Sequence, residues 1–350
     1  MKRLGVLAAA SLLTVSAMAA DNTISATARM SLQSVSNDRT ATGIENQSVI
    51  AAEYAKVFFG GTLNPSTKYY MTWNLTQGSI TDGTDHKDAT NKFVENIGIV
   101  RTFSEGLTLN LGKQQIIAGG MELTHSTADQ YIQSNFSTTG NALVRQFGAN
   151  VGYTVADQAF NLQLTNGNAE ARGAKGQSKY GYAATWAGNF GMIKSKVGYS
   201  VRPSGVATSG DVSLLGAGLQ FNLSQFVVEA DYGVVTTKKG STNTADMVSN
   251  SIAATASYTG HDLLTPFAKF VSDTNKTNDD GSKNNTVTGF GLGVEYKEAK
   301  ADAVRYHVVY SSAETKYETA AMATTAGLVS GTKKTVGTIL VGAKFSTSLL

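Results

Sequence analysis

The chain has 350 residues, of which 41% are hydrophobic and 16% charged, with 36 glycines, 3 prolines and no cysteine. The missing cysteine excludes disulfides and thiolate metal sites, and a formal net charge of +3 provides no global field that would gather nucleic acid. Abundant glycine without proline argues against a disordered linker, and the low charged fraction suits a wall that meets lipid on one side.

Residues 1–19 read as a secretory signal peptide. Met1-Lys2-Arg3 is basic, residues 4–15 form a short apolar run, and Ala17-Met18-Ala19 is a small-residue cleavage pattern. Its removal would leave residues 20–350 nearly neutral, so any selectivity must come from where charges sit. No later stretch approaches the ~18 apolar residues of a membrane helix, whereas a membrane β-barrel alternates apolar and polar residues and keeps an average hydropathy.

Read for a period of two, residues 20–350 give about sixteen strands joined by alternating short and long connections. The first, 24–32, sets Met30 and Leu32 outward and Arg29 and Ser31 inward. The second, 48–59, assigns no face, because Glu53 and Lys56 have opposite parity; the fourth and thirteenth leave their faces open too. The third points Lys68 inward. The strand at 107–117 then breaks at Gly119-Gly120 into a polar segment, 119–140, too long for a hairpin turn.

Beyond it, the strand containing Phe160, Leu162 and Leu164 points them outward, and a short turn is expected at Ala187-Gly188-Asn189-Phe190. The ninth strand turns Lys194 and Lys196 inward, and the eleventh turns Glu229 and Asp231 inward. Glu295, Arg305 and Lys344 face the lumen from the last three strands. Aromatics near strand ends, such as Phe103, Tyr153, Tyr258 and Tyr296, fit the interfacial girdles of a membrane barrel.

With strands, loop order and leader placed, the mature chain resembles a sixteen-stranded Gram-negative porin. Leu111-Gly112-Lys113 is similar to the Gly-basic pair that closes that family's fifth strand. Leu162-Gln163-Leu164-Thr165-Asn166-Gly167 is similar to a segment of phosphate-selective porins. Two departures stand out. The chain runs past Phe345 to Leu350 where porins end on an aromatic residue. Lys113 shares the parity of Leu109 and Leu111, and a charge facing lipid at the midplane costs about 2 to 4 kcal/mol.

The resemblance implies an all-β transmembrane barrel in a Gram-negative outer membrane, in contact with lipid and lipopolysaccharide, assembled as a homotrimer and without cofactor. It implies that 119–140 folds into the lumen. There Glu122 and Asp129 would be the acids of a constriction, facing Arg29, Lys68, Arg305 and Lys344. Lys113, Lys194 and Lys196 would add pore-lining bases, and Glu229, Asp231 and Glu295 pore-lining acids.

Four histidines in separate elements, with no metal spacing and no G-x-S-x-G or H-E-x-x-H, offer neither a metal site nor catalysis. The expected activity is passive diffusion of small hydrophilic solutes and ions. The alternatives are an anion- or phosphate-selective channel, which requires a continuous basic path through Lys194, Lys196, Arg29 and Arg305, or a plugged structural or adhesive barrel.

Overall fold

The computed structural model describes residues 22–37, 47–75, 94–141, 146–166, 180–203, 210–239, 245–277, 283–299, 303–318 and 333–348. The expected leader and parts of the polar long connections lie outside the described residues. Sixteen strands close into one antiparallel barrel. They are β1 (Asn22–Asn37), β2 (Gln47–Asn64), β3 (Thr67–Asn74), β4 (Val94–Ser104), β5 (Leu107–Gln114), β6 (Gln146–Val155), β7 (Gln158–Asn166) and β8 (Tyr180–Phe190). The second half comprises β9 (Ile193–Arg202), β10 (Val212–Leu223), β11 (Phe226–Thr237), β12 (Met247–Tyr258), β13 (Leu264–Thr277), β14 (Lys283–Tyr296), β15 (Val304–Tyr317) and β16 (Lys333–Ser348).

Each strand pairs with its sequence neighbours. β16 closes on β1 in a register running from Ser25↔Ser348 to Asn37↔Val336. Closure leaves no edge strand, which is the condition for placing sheet backbone in hydrocarbon. Short turns gather on one rim. Gly106, Ala156, Gly191 and Ser224 sit there with φ of 84°, 48°, 71° and 52°, the left-handed conformation that tight hairpins require.

The burial pattern is inverted relative to a soluble protein. Leu162, Leu292 and Val308 are 64%, 56% and 51% exposed, while Ser31, Thr165 and Ser200 are buried. Alternation places the apolar set against lipid and the polar set in the lumen. Phe103, Tyr153, Phe190, Phe226 and Tyr296 are exposed within a few residues of the short turns, where amphipathic rings favour the interface.

Four features differ from, or resolve, the expectations. Residues 187–190 are not a turn: they end β8, pairing Gln158↔Gly188 and Phe190↔Ile193, and the chain turns at Gly191-Met192. Small and polar residues there mark the rim of the barrel, not the end of pairing.

In β2 the register jumps from Arg29↔Tyr54 to Met30↔Ala52, so Glu53 is a bulge. The extra residue reverses parity and brings Glu53 and Lys56 to one face, where they pair with Arg29 and Glu95. Glu95 is a second bulge, between Thr72↔Asn96 and Trp73↔Val94, which blurred β4 in the same way. In β13, Phe267 and Val271 share the inward face with Lys269 and Asp273, and Phe270 is on the exposed side. Apolar residues on both faces hide the period there.

Candidate pore constriction

The chain leaves β5 at Gln114 and turns into the barrel. The Gln163 side-chain amide holds the entry, accepting from Ile117 N at 2.9 Å and donating to Gln115 O at 2.9 Å. Gly198, Gly216 and Gly233 stand in register across β9, β10 and β11. A Cβ at Gly198 would strike the backbone of Gly119, and one at Gly216 or Gly233 would strike the Phe136 ring. This row of glycines is a groove without side chains in which the segment lies. Phe136 then joins Ile116, Ala118, Ala183, Val212, Leu214 and Val235 in an apolar core inside the lumen.

Wall acids hold the segment by its backbone. Asp231 accepts from the amides of Met121 and Glu122, and Asp273 accepts from Asn135 N at 3.1 Å and from Ser251 Oγ at 2.5 Å. Asn135 opens the short helix α1 (Asn135–Asn141), whose free amides favour a carboxylate. Glu122, which begins a 3₁₀ turn (Glu122–Thr124), is buried. Its carboxylate accepts from Ser134 N at 3.1 Å, from Ser134 Oγ and from Lys269 Nζ at 2.6 Å.

The opposite anchor is a row of cations. Arg305, Lys344 and Arg29 are aligned in register across β15, β16 and β1. Arg29 donates to Ala128 O at 2.9 Å and Gln130 O at 3.1 Å and pairs with Glu53. Lys344 Nζ lies 2.5 Å from both Asp129 Oδ1 and Glu295 Oε1, and Arg305 reaches Glu295 at 3.3 Å. Tyr131 stacks on Phe267 with ring centroids 5.3 Å apart, lies 5.0 Å under the Arg29 guanidinium and donates to Glu295 at 2.9 Å. Burial pushes its hydroxyl pKa up. His125 Nε2 lies 2.8 Å from Glu229 Oε2; that hydrogen bond holds the imidazole pKa above its usual value, against the opposing effect of burial.

Asp129, Arg29, Arg305, Lys344 and Glu295 thus meet in one constellation. Glu229 meets His125, and Asp231 holds the segment's backbone. Lys196 shares a register row with Gly218 and Asp231. Lys194 is exposed opposite Gln220 and Asn189, beside the Gly191 turn, and Lys68 is exposed as the second residue of β3. Lys113 stands in register with the exposed Ile97 and Phe147, yet it is buried and donates to Val94 O at 2.9 Å, next to Gly112 with its φ of 146°.

Lys194 and Lys196 stand on β9, well round the barrel from β15 and β1, which carry Arg305 and Arg29. Sequence reasoning missed Lys269 and Asp273, whose strand had no assigned face, and the inward aromatics Tyr131, Phe136 and Phe267. The aligned glycines of β9, β10 and β11 were the available signal for the groove.

Two cavities flank the segment. One, of about 510 Å³, opens toward β1–β4 and the other, of about 370 Å³, toward β10–β15. His125, Asp129, Arg305 and Lys344 line both. Of these, His125, Asp129 and Arg305 have side chains 41%, 44% and 42% exposed.

Residues 26–225 match the family model described as phosphate-selective porin O and P. No curated protein sequence matches. Among solved structures, OmpT of Vibrio cholerae is similar at 14% identity and a TM-score of 0.61, over 93% of this chain and 97% of that one. The anion-selective porin of Comamonas acidovorans is similar at 11% identity and a TM-score of 0.66, over 93% and 99%. OmpF of Salmonella typhi, solved with daunomycin, is similar at 14% and 0.61, over 93% and 97%. At such identities these likenesses establish the barrel, and the family model, matched over more than half of the sequence, establishes descent. The chain belongs to the phosphate-selective porin O and P family and is an outer-membrane porin, a diffusion channel and not an enzyme.

Proposed function

We propose that this porin is a weakly ion-selective channel for small hydrophilic solutes, narrowed by residues 119–140 and crossed along the two cavities that meet at Asp129 and Arg305. The observation that carries this reading is the pairing of lumenal charge. Arg29 with Glu53, Lys56 with Glu95, Lys269 with Glu122, and Lys344 with Asp129 and Glu295 leave little uncompensated field of either sign. Fixed pairs of this kind orient water and polar solutes without rejecting one ion class outright.

Planar-bilayer recording tests it. Stable conductance steps are expected, with a reversal potential well short of the roughly 59 mV Nernst limit for a tenfold KCl gradient. A value near that limit on the anion side would replace this reading with anion or phosphate selectivity, which the matched family and the Arg305–Lys344–Arg29 row favour. Assembly as a homotrimer, embedded among outer-membrane lipid and lipopolysaccharide, is part of the same proposal; OmpT of Vibrio cholerae has a trimer form.

A further inference from the structure

We propose that the junction of the two cavities is a binding station for zwitterionic solutes of the α-amino acid class, an inference that rests on the pore reading above. Asp129, Lys344, Glu295 and Arg305 form a chain of alternating sign, joined at 2.5, 2.5 and 3.3 Å. Its inner members are buried, with Lys344 and Glu295 side chains 7% and 11% exposed, while its two ends are open: an acid on the inserted segment and a base on β15.

Each open end keeps coordination capacity toward the passage. Asp129 can accept from an ammonium group and Arg305 can donate to a carboxylate. A solute carrying both charges offers each end its complement. A simple cation or anion satisfies one and meets a like charge at the other, and a neutral polyol gains neither contact. Apolar faces stand ready on either side for the rest of such a solute, Tyr54 and Phe58 in the larger cavity and Tyr131 and Phe267 in the smaller. Because the ends are wet, binding is shallow, as passage requires.

The test compares permeation of L-threonine with that of erythritol, a neutral solute of similar size, by swelling of porin-loaded liposomes. The wild-type threonine-to-erythritol ratio is expected to exceed one. Asp129→Asn and Arg305→Gln, on opposite ends of the chain, are each expected to lower it roughly twofold to fivefold, the scale of one exposed charge pair. Lys238→Gln, on the far rim where Lys238 pairs with Asp246, is expected to leave it unchanged.

KCl conductance steps, recorded for every protein, report an intact pore. Absent steps in the wild type would sink the pore reading itself. Normal steps with a wild-type ratio at or below one, or a ratio unmoved by both substitutions, would overturn the binding station alone. A change confined to inorganic phosphate permeation would also overturn it, by making the junction an anion site.

Discussion

Phe136→Ala separates the stability of the inserted segment from that of the barrel. Phe136 is 1% exposed and rests on Gly216 and Gly233, which have no side chains with which to fill the space it would vacate. Truncating a buried phenylalanine costs about 3 to 5 kcal/mol. The strand ladder keeps its own hydrogen bonds, because Phe136 lies in α1 and takes no part in strand pairing. Every 1.4 kcal/mol is tenfold, so the undocked fraction of the segment should rise roughly a hundredfold or more. The polar contacts of Asp231 and Asp273 remain, each worth about 1 to 3 kcal/mol, and oppose complete release. Single-channel recording should then show a new, larger conductance level and added flicker, and limited proteolysis should cut within 119–141 while the barrel stays intact. Unchanged conductance, noise and protease resistance would refute the idea that an apolar core inside the lumen docks the segment.

Three further outcomes are expected. The raised pKa of His125 keeps its pairing with Glu229 complete below the unfolded value near 6.5 and loses it as pH rises through the higher folded value, so reversal potentials should drift toward cations on going from about pH 6 to pH 9, and His125→Asn should abolish the drift. Lys344→Met strips Asp129 and Glu295 of their shared cation; breaking a buried pair from one side costs about 3 to 5 kcal/mol, and bilayer recordings should show stronger cation selectivity. Leu162→Arg places a charge among lipid chains and should lower folding stability in vesicles by about 2 to 4 kcal/mol, measured by urea titration, with conductance unchanged in the protein that does fold.

The barrel was legible wherever one face met lipid and the other met water. In β11, β14 and β15 the period of two sorts Tyr232, Leu292 and Val308 from Asp231, Glu295 and His307 without ambiguity. It failed where the backbone or the lumen broke that simple contrast. At Glu53 and Glu95 one extra residue inverts parity, and parity carries no mark of a bulge until the partner strand is known. Residues 187–190 looked like a turn because small and polar residues suit both a turn and a rim.

The candidate constriction was half legible for a related reason. Arg29, Arg305 and Lys344 could be proposed together because β1, β15 and β16 are neighbours once the barrel closes, Asp129 because it lies in the segment expected to turn inward, and Glu295 from the parity of β14. Glu122 could be proposed from its position, but its partner could not. Lys269 sits in β13, where Phe267 and Val271 also point inward; the inserted segment reaches this wall, with Tyr131 stacked on Phe267 and Glu122 paired with Lys269. Where the inserted segment brings an aromatic ring to the wall, an inward wall residue can be apolar too, as Phe267 is against Tyr131, and alternation weakens there. Loss of the period over β13, together with glycines aligned on β9, β10 and β11, is therefore the imprint that an inserted segment leaves on the wall it covers. In a porin whose long segment projected outward, nothing but water would face β13 from within, and that strand would keep the clean alternation that β2 and β4 lose to their bulges.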